Sequence, residues 1–417
     1  MDPYLLVALA LYFSVMLGIG LFAYRTNDDS VSGFLLGGRK VGPKVTALSA
    51  GASDMSGWML MGLPGAMYLS GLSSSWIAIG LLIGAWCNYT FIAPRLRVYT
   101  EVTNSLTIPD FLERRFDDHT RLLRIVSAIV IILFFTIYTS SGVVAGGKLF
   151  ESAFDLPYET GLYVTAGIVV LYTLFGGYLA VSMTDFVQGC IMFVALILVP
   201  VVAVFNVGGL AETTQHIEVV NTEAFNLVNG VSFIAIISSM AWGLGYFGQP
   251  HIIVRFMAIS DVKELKIARK IGMSWMLVTL IGALSVGLSG VAFIQKSGMK
   301  LEDAETIFIV LSNTLFHPFV AGFLLAAILA AIMSTISSQL LVTSSSLATD
   351  LFKEFINKEA PQSQVLMVSR ISILLVAILA IVIAHDRTSS ILSLVSNAWA
   401  GFGAAFGPLI QIGRAHV

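Results

Sequence analysis

Long apolar runs recur along almost the whole of this chain of 417 residues. About eleven of them reach roughly 18 residues, the length that an α-helix needs to cross a lipid bilayer. Charged residues make up only 12% of the sequence, and soluble domains carry about twice that share. We therefore predict an all-α polytopic membrane protein. The predicted spans lie near 4–24, 41–70, 74–94, 125–147, 160–178, 186–206, 231–257, 272–294, 318–343, 366–384 and 389–411.

The distribution of basic residues between the predicted loops indicates the orientation. If the N-terminus lies outside, most of the 23 Lys and Arg residues fall in inward loops. The outward loops then hold only Lys148, Lys296, Lys300 and Arg387. An excess of Lys and Arg on the cytoplasmic side is the usual pattern, so we predict a multi-pass protein with its N-terminus outside. No loop is long enough for a separate soluble domain.

The second predicted span contains a carboxylate, Asp54, within the run Ser49–Trp58. A charged side chain at this depth is costly and usually marks an ion or substrate path. The Gly and Ser residues around it favour local unwinding, which frees backbone carbonyls that need a partner such as a bound cation. The alternative is a packing seam of small residues in which Asp54 caps a kink.

A second interruption lies in the seventh predicted span, at Trp242–Pro250, where three Gly residues and a Pro occur. Paired interruptions at corresponding positions are typical of transporters built from inverted repeats, with the binding site near the middle of the membrane. This pattern predicts one transmembrane transporter domain over 1–411, with one repeat at about 41–206 and the other at about 231–411. The two halves share no obvious residue identity.

The ninth predicted span carries two adjacent hydroxyl residues, Ser334 and Thr335. Their side chains lie at the same height, about 100° apart around a helix, and oxygen ligands suit small hard cations. The alternative is that both hydroxyls only bond a carbonyl one turn earlier in their own helix. Near the second interruption, Trp242 and Tyr246 would lie on one face of an intact helix, where they could contact a compact ligand.

Other functional classes find little support in the sequence. A net charge of −2 does not indicate a nucleic-acid partner, and Cys87 and Cys190 lie in separate predicted spans. Neither a nucleophile–base set nor a metal-binding spacing occurs, so we do not expect an enzyme. The N-terminus lacks the features of a cleaved signal peptide.

At these residues the chain resembles the sodium/solute symporter family, and within it the branch that transports proline. The matching runs are Thr46–Trp58, Trp76–Gly80, Gly142–Gly146, Trp242–His251 and Ala398–Pro408. The resemblance covers essentially everything up to Gln411. It implies a LeuT-like five-plus-five inverted repeat, preceded by one extra helix and followed by two more, in a bacterial plasma membrane.

The resemblance also implies the residues of the site. The implied sodium ligands are the backbone carbonyls of Ala52, Met55 and Ala331 and the hydroxyls of Ser334 and Thr335. Asp54 resembles the family's essential carboxylate for sodium coupling, which either contacts the ion or organises the broken helix. The implied proline contacts are Ser56, Gly57, Tyr138, Trp242, Tyr246 and Pro250.

The function implied is sodium-coupled import of L-proline, with sodium as the cofactor and no obligate protein partner evident. One alternative is a sodium symporter for another small solute, such as pantothenate, a sugar or another carboxylate. A second alternative is a membrane sensor built on the same scaffold.

The last six residues, Ile412–Val417, abandon the apolar pattern within the eleventh predicted span. Their sequence is also the translation of a common sequencing-library adapter. We expect the reading frame to end in adapter read-through, with the rest of this span and two further helices lost; the alternative is a polar loop followed by a stop codon. Finding these codons in the source genome would contradict the expectation.

Overall fold

The computed structural model describes residues 2–26, 30–228, 231–386 and 390–411. Residues 412–417, which carry the adapter expectation, lie outside this range. The described part is a succession of helices without a β-strand. In chain order the α-helices are α1 (Pro3–Thr26), α2 (Val31–Leu36), α3 (Pro43–Asp54), α4 (Leu63–Ser70), α5 (Ser75–Cys87), α6 (Ala93–Val102), α7 (Ile108–Phe116), α8 (Leu122–Phe154), α9 (Tyr158–Val207), α10 (Leu210–Val220), α11 (Phe233–Met240), α12 (Pro250–Ala258), α13 (Leu265–Ser297), α14 (Ile307–Leu315), α15 (Pro318–Ser345), α16 (Gln362–Ala384) and α17 (Ile391–Gln411).

Shorter helical turns of other types connect several of these helices. The 3₁₀ turns are Gly37–Arg39, Gly71–Ser74, Ala241–Phe247, Val262–Glu264 and Ala304–Thr306, and the π turns are Trp58–Gly62, Asn88–Ile92 and Ser346–Ile356. The long helix α9 bends sharply at Gly177, whose φ of 54° is accessible to Gly at little cost. This bend separates the fifth and sixth predicted spans.

Seven helical stretches in the described part are long and apolar enough to cross a membrane. They account for the first, third, fourth, sixth, eighth, ninth and tenth predicted spans. The other four predicted spans correspond to helices that are shorter, more polar or interrupted. Two of these four, the second and the seventh, contain the predicted interruptions. This is a multi-pass membrane protein. The short helix α7 begins after Thr107, whose side chain caps its first turn.

Both predicted interruptions are present. In the second span, α3 ends at Asp54, and helical hydrogen bonding resumes in the π turn Trp58–Gly62 that leads into α4. In the seventh span, α11 tightens into the 3₁₀ turn Ala241–Phe247 and the chain then leaves helical geometry at Gln249. Pro250 starts α12 because a residue without an N–H is well suited to the first helical position.

Helix α15 lies at the centre of the molecule and packs against α1, α8, α9 and α16. In its most apolar window 83% of the residues are buried inside the protein, so Ser334 and Thr335 face protein rather than lipid. Small residues such as Ala, Ser and Thr allow neighbouring helices to approach closely. This packing brings α15 into contact with α3.

A fully buried ion pair joins four helices beside the first interruption. Arg255 on α12 lies 3.2 Å from Asp185 on α9, and both side chains are 0% exposed. The same guanidinium donates to Ser49 on α3 at 3.2 Å and to Ser338 on α15. It also donates to the carbonyl of His251, one turn earlier in α12. A buried ion pair needs such additional hydrogen bonds to offset desolvation, and here those bonds hold the four helices together.

The start of the first interrupted helix and the end of the second are joined by backbone. Val41, just before α3, forms an isolated parallel bridge with Ile259, just after α12. Its N–H donates to the Ala258 carbonyl at 3.3 Å, and its carbonyl accepts from the Ser260 N–H at 2.9 Å. Arg39 adds a bond of 2.9 Å to the Met257 carbonyl. Helices α3 and α12 are therefore connected directly to each other at these ends.

Candidate ion and solute site at the helix interruptions

The carbonyls freed at the end of α3 find side-chain partners. The Ser334 hydroxyl donates to the Ala52 carbonyl at 2.7 Å. Both Ser334 and Thr335 lie 3.1 Å from the Ala331 carbonyl of their own helix. The alternative predicted from sequence, back-bonding within α15, is thus present, together with a contact across to α3. Four of the five implied sodium ligands therefore lie together where α3 meets α15. These four residues are each at most 1% exposed: Ala52, Ala331, Ser334 and Thr335.

The fifth implied ligand, Met55, is the first residue after α3. Its φ of −84° and ψ of 75° take its carbonyl out of the helical direction. Its own N–H donates to the Gly51 carbonyl at 3.0 Å, so the last turn of α3 remains closed. The arrangement offers carbonyl and hydroxyl oxygens between α3 and α15, which is the ligand type that a hard cation prefers.

The Asp54 side chain contacts the second interrupted helix. It is 1% exposed, and one of its carboxylate oxygens accepts a hydrogen bond from the Tyr246 hydroxyl, in the second interrupted helix. Its backbone carbonyl accepts from the Trp58 indole at 3.1 Å and from the Tyr138 hydroxyl at 3.4 Å. Asp54 therefore connects both interruptions and α8 through its side chain and backbone.

Two of the implied solute contacts, Tyr138 and Tyr246, bond Asp54 directly. Tyr138 is buried against the His251 ring, with centroids 5.9 Å apart, which places it next to Pro250. The ring centroids of Trp242 and Trp58 are 6.3 Å apart. Because residues 241–247 form a 3₁₀ turn with about three residues per turn, Trp242 and Tyr246 do not share one helix face as an α-helical spacing would give.

The backbone at Ser56 and Gly57 is closely packed. Both residues are buried, and a Cβ on Gly57 would lie 2.8 Å from the Cβ of Ala145 on α8. Gly at this position therefore lets the interruption approach α8 closely. All six implied solute contacts lie on the interrupted helices or on α8, which packs beside them.

Three residues of the site are missing from the sequence prediction. The Trp399 indole on α17 donates to the Trp242 carbonyl at 2.6 Å, and its ring lies 5.4 Å from that of Tyr246. The Asn88 amide donates to the Tyr246 carbonyl at 3.1 Å, and the Trp58 indole bonds Asp54 as above. Trp58 and Trp399 each lie in a run that the sequence analysis named, whereas Asn88 lies in none of these runs.

The sequence model of the sodium:solute symporter family matches residues 34–413. The chain belongs to this family. This symporter is 56% identical over 409 residues to the osmoregulated proline transporter OpuE of Bacillus subtilis, covering 98% of this chain and 83% of that protein. It is 59% identical over 398 residues to the high-affinity proline transporter PutP of the same species, covering 95% and 84%. It is 56% identical to sodium/proline symporter 2 of Staphylococcus saprophyticus, covering 97% and 80%.

Two solved structures share the fold of the symporter. A Na⁺-coupled sialic acid symporter in a substrate-bound outward-open state superimposes with a TM-score of 0.84 at 19% identity, covering 99% of this chain and 87% of that one. The nucleobase–cation symporter Mhp1 in a closed conformation gives 0.57 at 14% identity, covering 91% and 78%. The predicted LeuT-like fold is confirmed. The relatives are transporters, which agrees with the prediction that the protein is not an enzyme.

Proposed function

We propose that this chain is a sodium-coupled secondary transporter that imports L-proline by alternating access. The observation that carries the proposal is the contact between the Ser334 hydroxyl and the freed Ala52 carbonyl, 2.7 Å apart. It brings oxygen ligands from two different helices together inside the protein. The relatives named as proline transporters or sodium/proline symporters support the solute and the ion, because their identity of 56–59% extends over nearly the whole chain.

In this proposal sodium is bound between α3 and α15. The ligands are the carbonyls of Ala52, Met55 and Ala331 and the hydroxyls of Ser334 and Thr335. Sodium would replace the direct bond from Ser334 to Ala52, with the hydroxyl lone pairs turned to the ion. Because ligands from two helices would share one ion, sodium binding favours the conformation in which α3 and α15 are close.

Proline is held beside the ion by the two interruptions and α8. The contacts are Ser56, Gly57, Tyr138, Trp242, Tyr246 and Pro250. The aromatic rings enclose the apolar ring of proline, and the free N–H groups at the start of a half-helix receive its carboxylate. Asp54 is the coupling residue, since it joins the interruption that binds sodium to Tyr246 in the other interruption. Coupling is reciprocal, so proline tightens sodium binding by the same factor.

The inverted repeats are part of the same proposal. One repeat covers about 41–206 and the other about 231–411, within a single transporter domain over 1–411, and each repeat begins with an interrupted helix. The protein lies in a bacterial plasma membrane with its N-terminus outside, because the inward loops then carry most of the basic residues. Each sodium ion that enters down about 100 mV supplies about 2.3 kcal/mol. A tenfold sodium gradient adds about 1.4 kcal/mol, so each ion sustains a proline gradient of about a few hundredfold.

The direct test is uptake of labelled L-proline by cells that lack their own proline uptake, with sodium or choline outside. The variant Asp54→Asn removes the charge and keeps the shape. We expect a loss of sodium-dependent uptake of about 100-fold, because the carboxylate charge is lost and the Tyr246 hydroxyl then donates to a neutral amide oxygen.

The matched control is Asp155→Asn. Asp155 is an exposed residue with a φ of 53°, a conformation that Asn tolerates, so uptake should be retained. A well-expressed chain that takes up no proline in sodium would contradict the solute. Uptake that is equal in sodium and choline would contradict the coupling ion.

A further inference from the structure

An apolar groove lies on the surface of the protein between α5 and α13. Its volume is about 420 Å³, and its wall is formed by Leu82, Ile83, Trp86, Met273, Ser274 and Leu277. Three of these side chains, Ile83, Trp86 and Leu277, are 50%, 48% and 44% exposed. Both helices belong to stretches that are long and apolar enough to cross the membrane, so the groove faces lipid.

A polar contact joins the two helices at one end of the groove. Nη1 of Arg269 on α13 donates to the hydroxyl of Thr90, just after α5, at 3.0 Å. That hydroxyl in turn donates to the Trp86 carbonyl at 2.7 Å. Because Arg269 is about one helical turn before Met273, its guanidinium lies at the end of the groove nearest the start of α13. The guanidinium has five N–H donors, and this contact uses one of them.

Two lysines extend the face of α13 that forms the groove. Lys266, Lys270, Met273 and Leu277 follow one another at spacings of four, three and four residues. Residues at these spacings share one face of a helix. Both lysines are exposed. The start of α13 therefore presents two ammonium groups and the Arg269 guanidinium at the same end of an apolar groove.

The positive charge of these three side chains is not balanced by carboxylates. Neither α5 nor α13 contains Asp or Glu, and none of the three forms an ion pair within the described part of the chain. The two acidic residues just before α13 have other partners. Asp261 accepts from the Lys263 N–H at 2.8 Å, and Glu264 accepts from the Ser260 hydroxyl. An anionic ligand would therefore complement this end of the groove.

We propose that the groove binds one anionic phospholipid from the leaflet at which α13 begins. The phosphate group contacts Lys266, Arg269 and Lys270, and an acyl chain lies along the groove over Trp86 and Leu277. Basic pockets between membrane helices bind anionic head groups, and the apolar wall matches an acyl chain. Basic residues alone are common on the cytoplasmic side of membrane proteins. The groove beside them is what makes this a site for one lipid rather than a diffuse attraction.

The bound lipid connects two helices that pack on different interruptions. Helix α13 packs against α3, and α5 packs against the 3₁₀ turn Ala241–Phe247. A ligand that binds only the folded protein stabilises it, so the lipid should raise the midpoint of thermal unfolding. With the orientation proposed above, the leaflet is the cytoplasmic one. The inference does not depend on the identity of the solute or of the coupling ion.

The test is lipid binding to the purified protein in a non-ionic detergent. The probes are phosphatidylglycerol, which is anionic, and phosphatidylcholine with identical acyl chains, which is zwitterionic. Native mass spectrometry measures the affinity of the first bound lipid, and thermal unfolding measures the stabilisation. We expect the wild type to bind phosphatidylglycerol about tenfold more tightly, because each basic residue adds to the attraction. Equal affinity for the two lipids would overturn the proposal, and this comparison needs no variant.

A double variant tests the contribution of the head group. Lys266→Gln together with Lys270→Gln should reduce the preference for phosphatidylglycerol to about twofold. The matched control is Lys40→Gln together with Lys44→Gln, which removes two exposed lysines before α3, apart from the groove. This control should keep the preference of the wild type. An equal loss in both double variants would indicate diffuse attraction and overturn the site.

A second variant tests the groove without changing any charge. Leu277→Trp fills part of the groove and should weaken phosphatidylglycerol binding about fivefold, because contact with the acyl chain is lost. Its control is Leu375→Trp, at an apolar position of α16 that is 54% exposed. Unchanged binding in Leu277→Trp would overturn the acyl-chain site.

Two further results would replace the lipid by another occupant. Displacement of the lipid by inorganic phosphate at the same concentration would show that the basic residues bind a free anion. A stable dimer that retains no lipid would show that a second copy of the chain covers the groove. Either result would overturn the proposal and leave the proposed function standing, because lipid binding is measured without transport.

Discussion

The two interrupted helices differ in the groups that donate hydrogen bonds to their freed carbonyls. At the first interruption, the Ala52 carbonyl meets the hydroxyl of Ser334 on α15. At the second, the Trp242 carbonyl meets the Trp399 indole N–H and the Tyr246 carbonyl meets the Asn88 amide N–H. A hydroxyl can turn its lone pairs toward an ion, whereas an indole or amide N–H can only donate. Of these two sets of contacts, only that of the first interruption can convert into a cation site.

The two interruptions also differ in packing. In the 3₁₀ turn of the second interruption, a Cβ on Gly243 would lie 2.1 Å from the Gly80 carbonyl oxygen of α5. One on Gly248 would lie 2.2 Å from the Phe402 carbonyl oxygen of α17. Backbone therefore rests directly on backbone, and the second interruption is a rigid support for the aromatic side chains. Similar breaks in the helical pattern can therefore present oxygen atoms from two helices in one place and provide rigid support in another.

The largest expected effect is on the stability of the second interruption. Gly243→Ala puts a methyl group against the backbone of α5, and we expect the free energy of unfolding to fall by about 3 kcal/mol because overpacking displaces a close contact. The measurement is thermal unfolding of purified protein. The control is Gly167→Ala, where no atom lies within 4 Å of the added Cβ. Equal stability of the two variants would contradict the rigid-support interpretation.

The next effect concerns ion affinity at the first interruption. Ser334→Ala removes the hydroxyl that meets the Ala52 carbonyl. We expect the sodium concentration for half-maximal proline uptake to rise about tenfold, since a hydrogen-bonding ligand to a charge is lost. Ser344→Ala is the control, because that hydroxyl is equally buried on α15 but bonds the Leu341 carbonyl of its own helix at 2.8 Å. An equal change in both variants would mean that α15 is destabilised generally.

The smallest expected effect distinguishes the N–H partner of a carbonyl at the second interruption from the hydroxyl partner at the first. Trp399→Phe keeps an aromatic ring and removes the N–H that bonds the Trp242 carbonyl. We expect a loss of about 1 kcal/mol in the free energy of unfolding, with the sodium concentration for half-maximal uptake unchanged. Thermal unfolding and sodium-dependent uptake measure the two quantities. A shift in sodium dependence as large as that of Ser334→Ala would show that the second interruption also takes part in ion binding.

Sequence reasoning located the helices and both interruptions because their signals are local. Apolar runs, the Gly and Ser residues around Asp54, and Pro250 after a Gly-rich stretch each act on the few residues beside them. Ser334 and Thr335 were also predicted as a pair, and the structure places them against α3. The split of Trp242 and Tyr246 around a 3₁₀ turn was not predicted, because the choice between 3₁₀ and α geometry depends on packing against α5 and α17.

The partners that complete the site depend on contacts between distant parts of the chain. Trp399 lies 157 residues from the carbonyl that it bonds, and Asn88 lies 158 residues from its own. No periodicity or motif within one helix specifies such a pairing. It follows from the close approach of glycine backbones, such as Gly84 against Gly243, which becomes visible only when the helices are packed together.

The backbone bridge between Val41 and Ile259 has a mechanical consequence for transport. Two hydrogen bonds of 2.9 and 3.3 Å fasten the chain before α3 to the chain around the end of α12. Helices α3 and α12 are therefore expected to move together as one unit. A tilt of α3 toward or away from α15 would therefore be passed to α12, which begins at Pro250, without any side chain having to relay it.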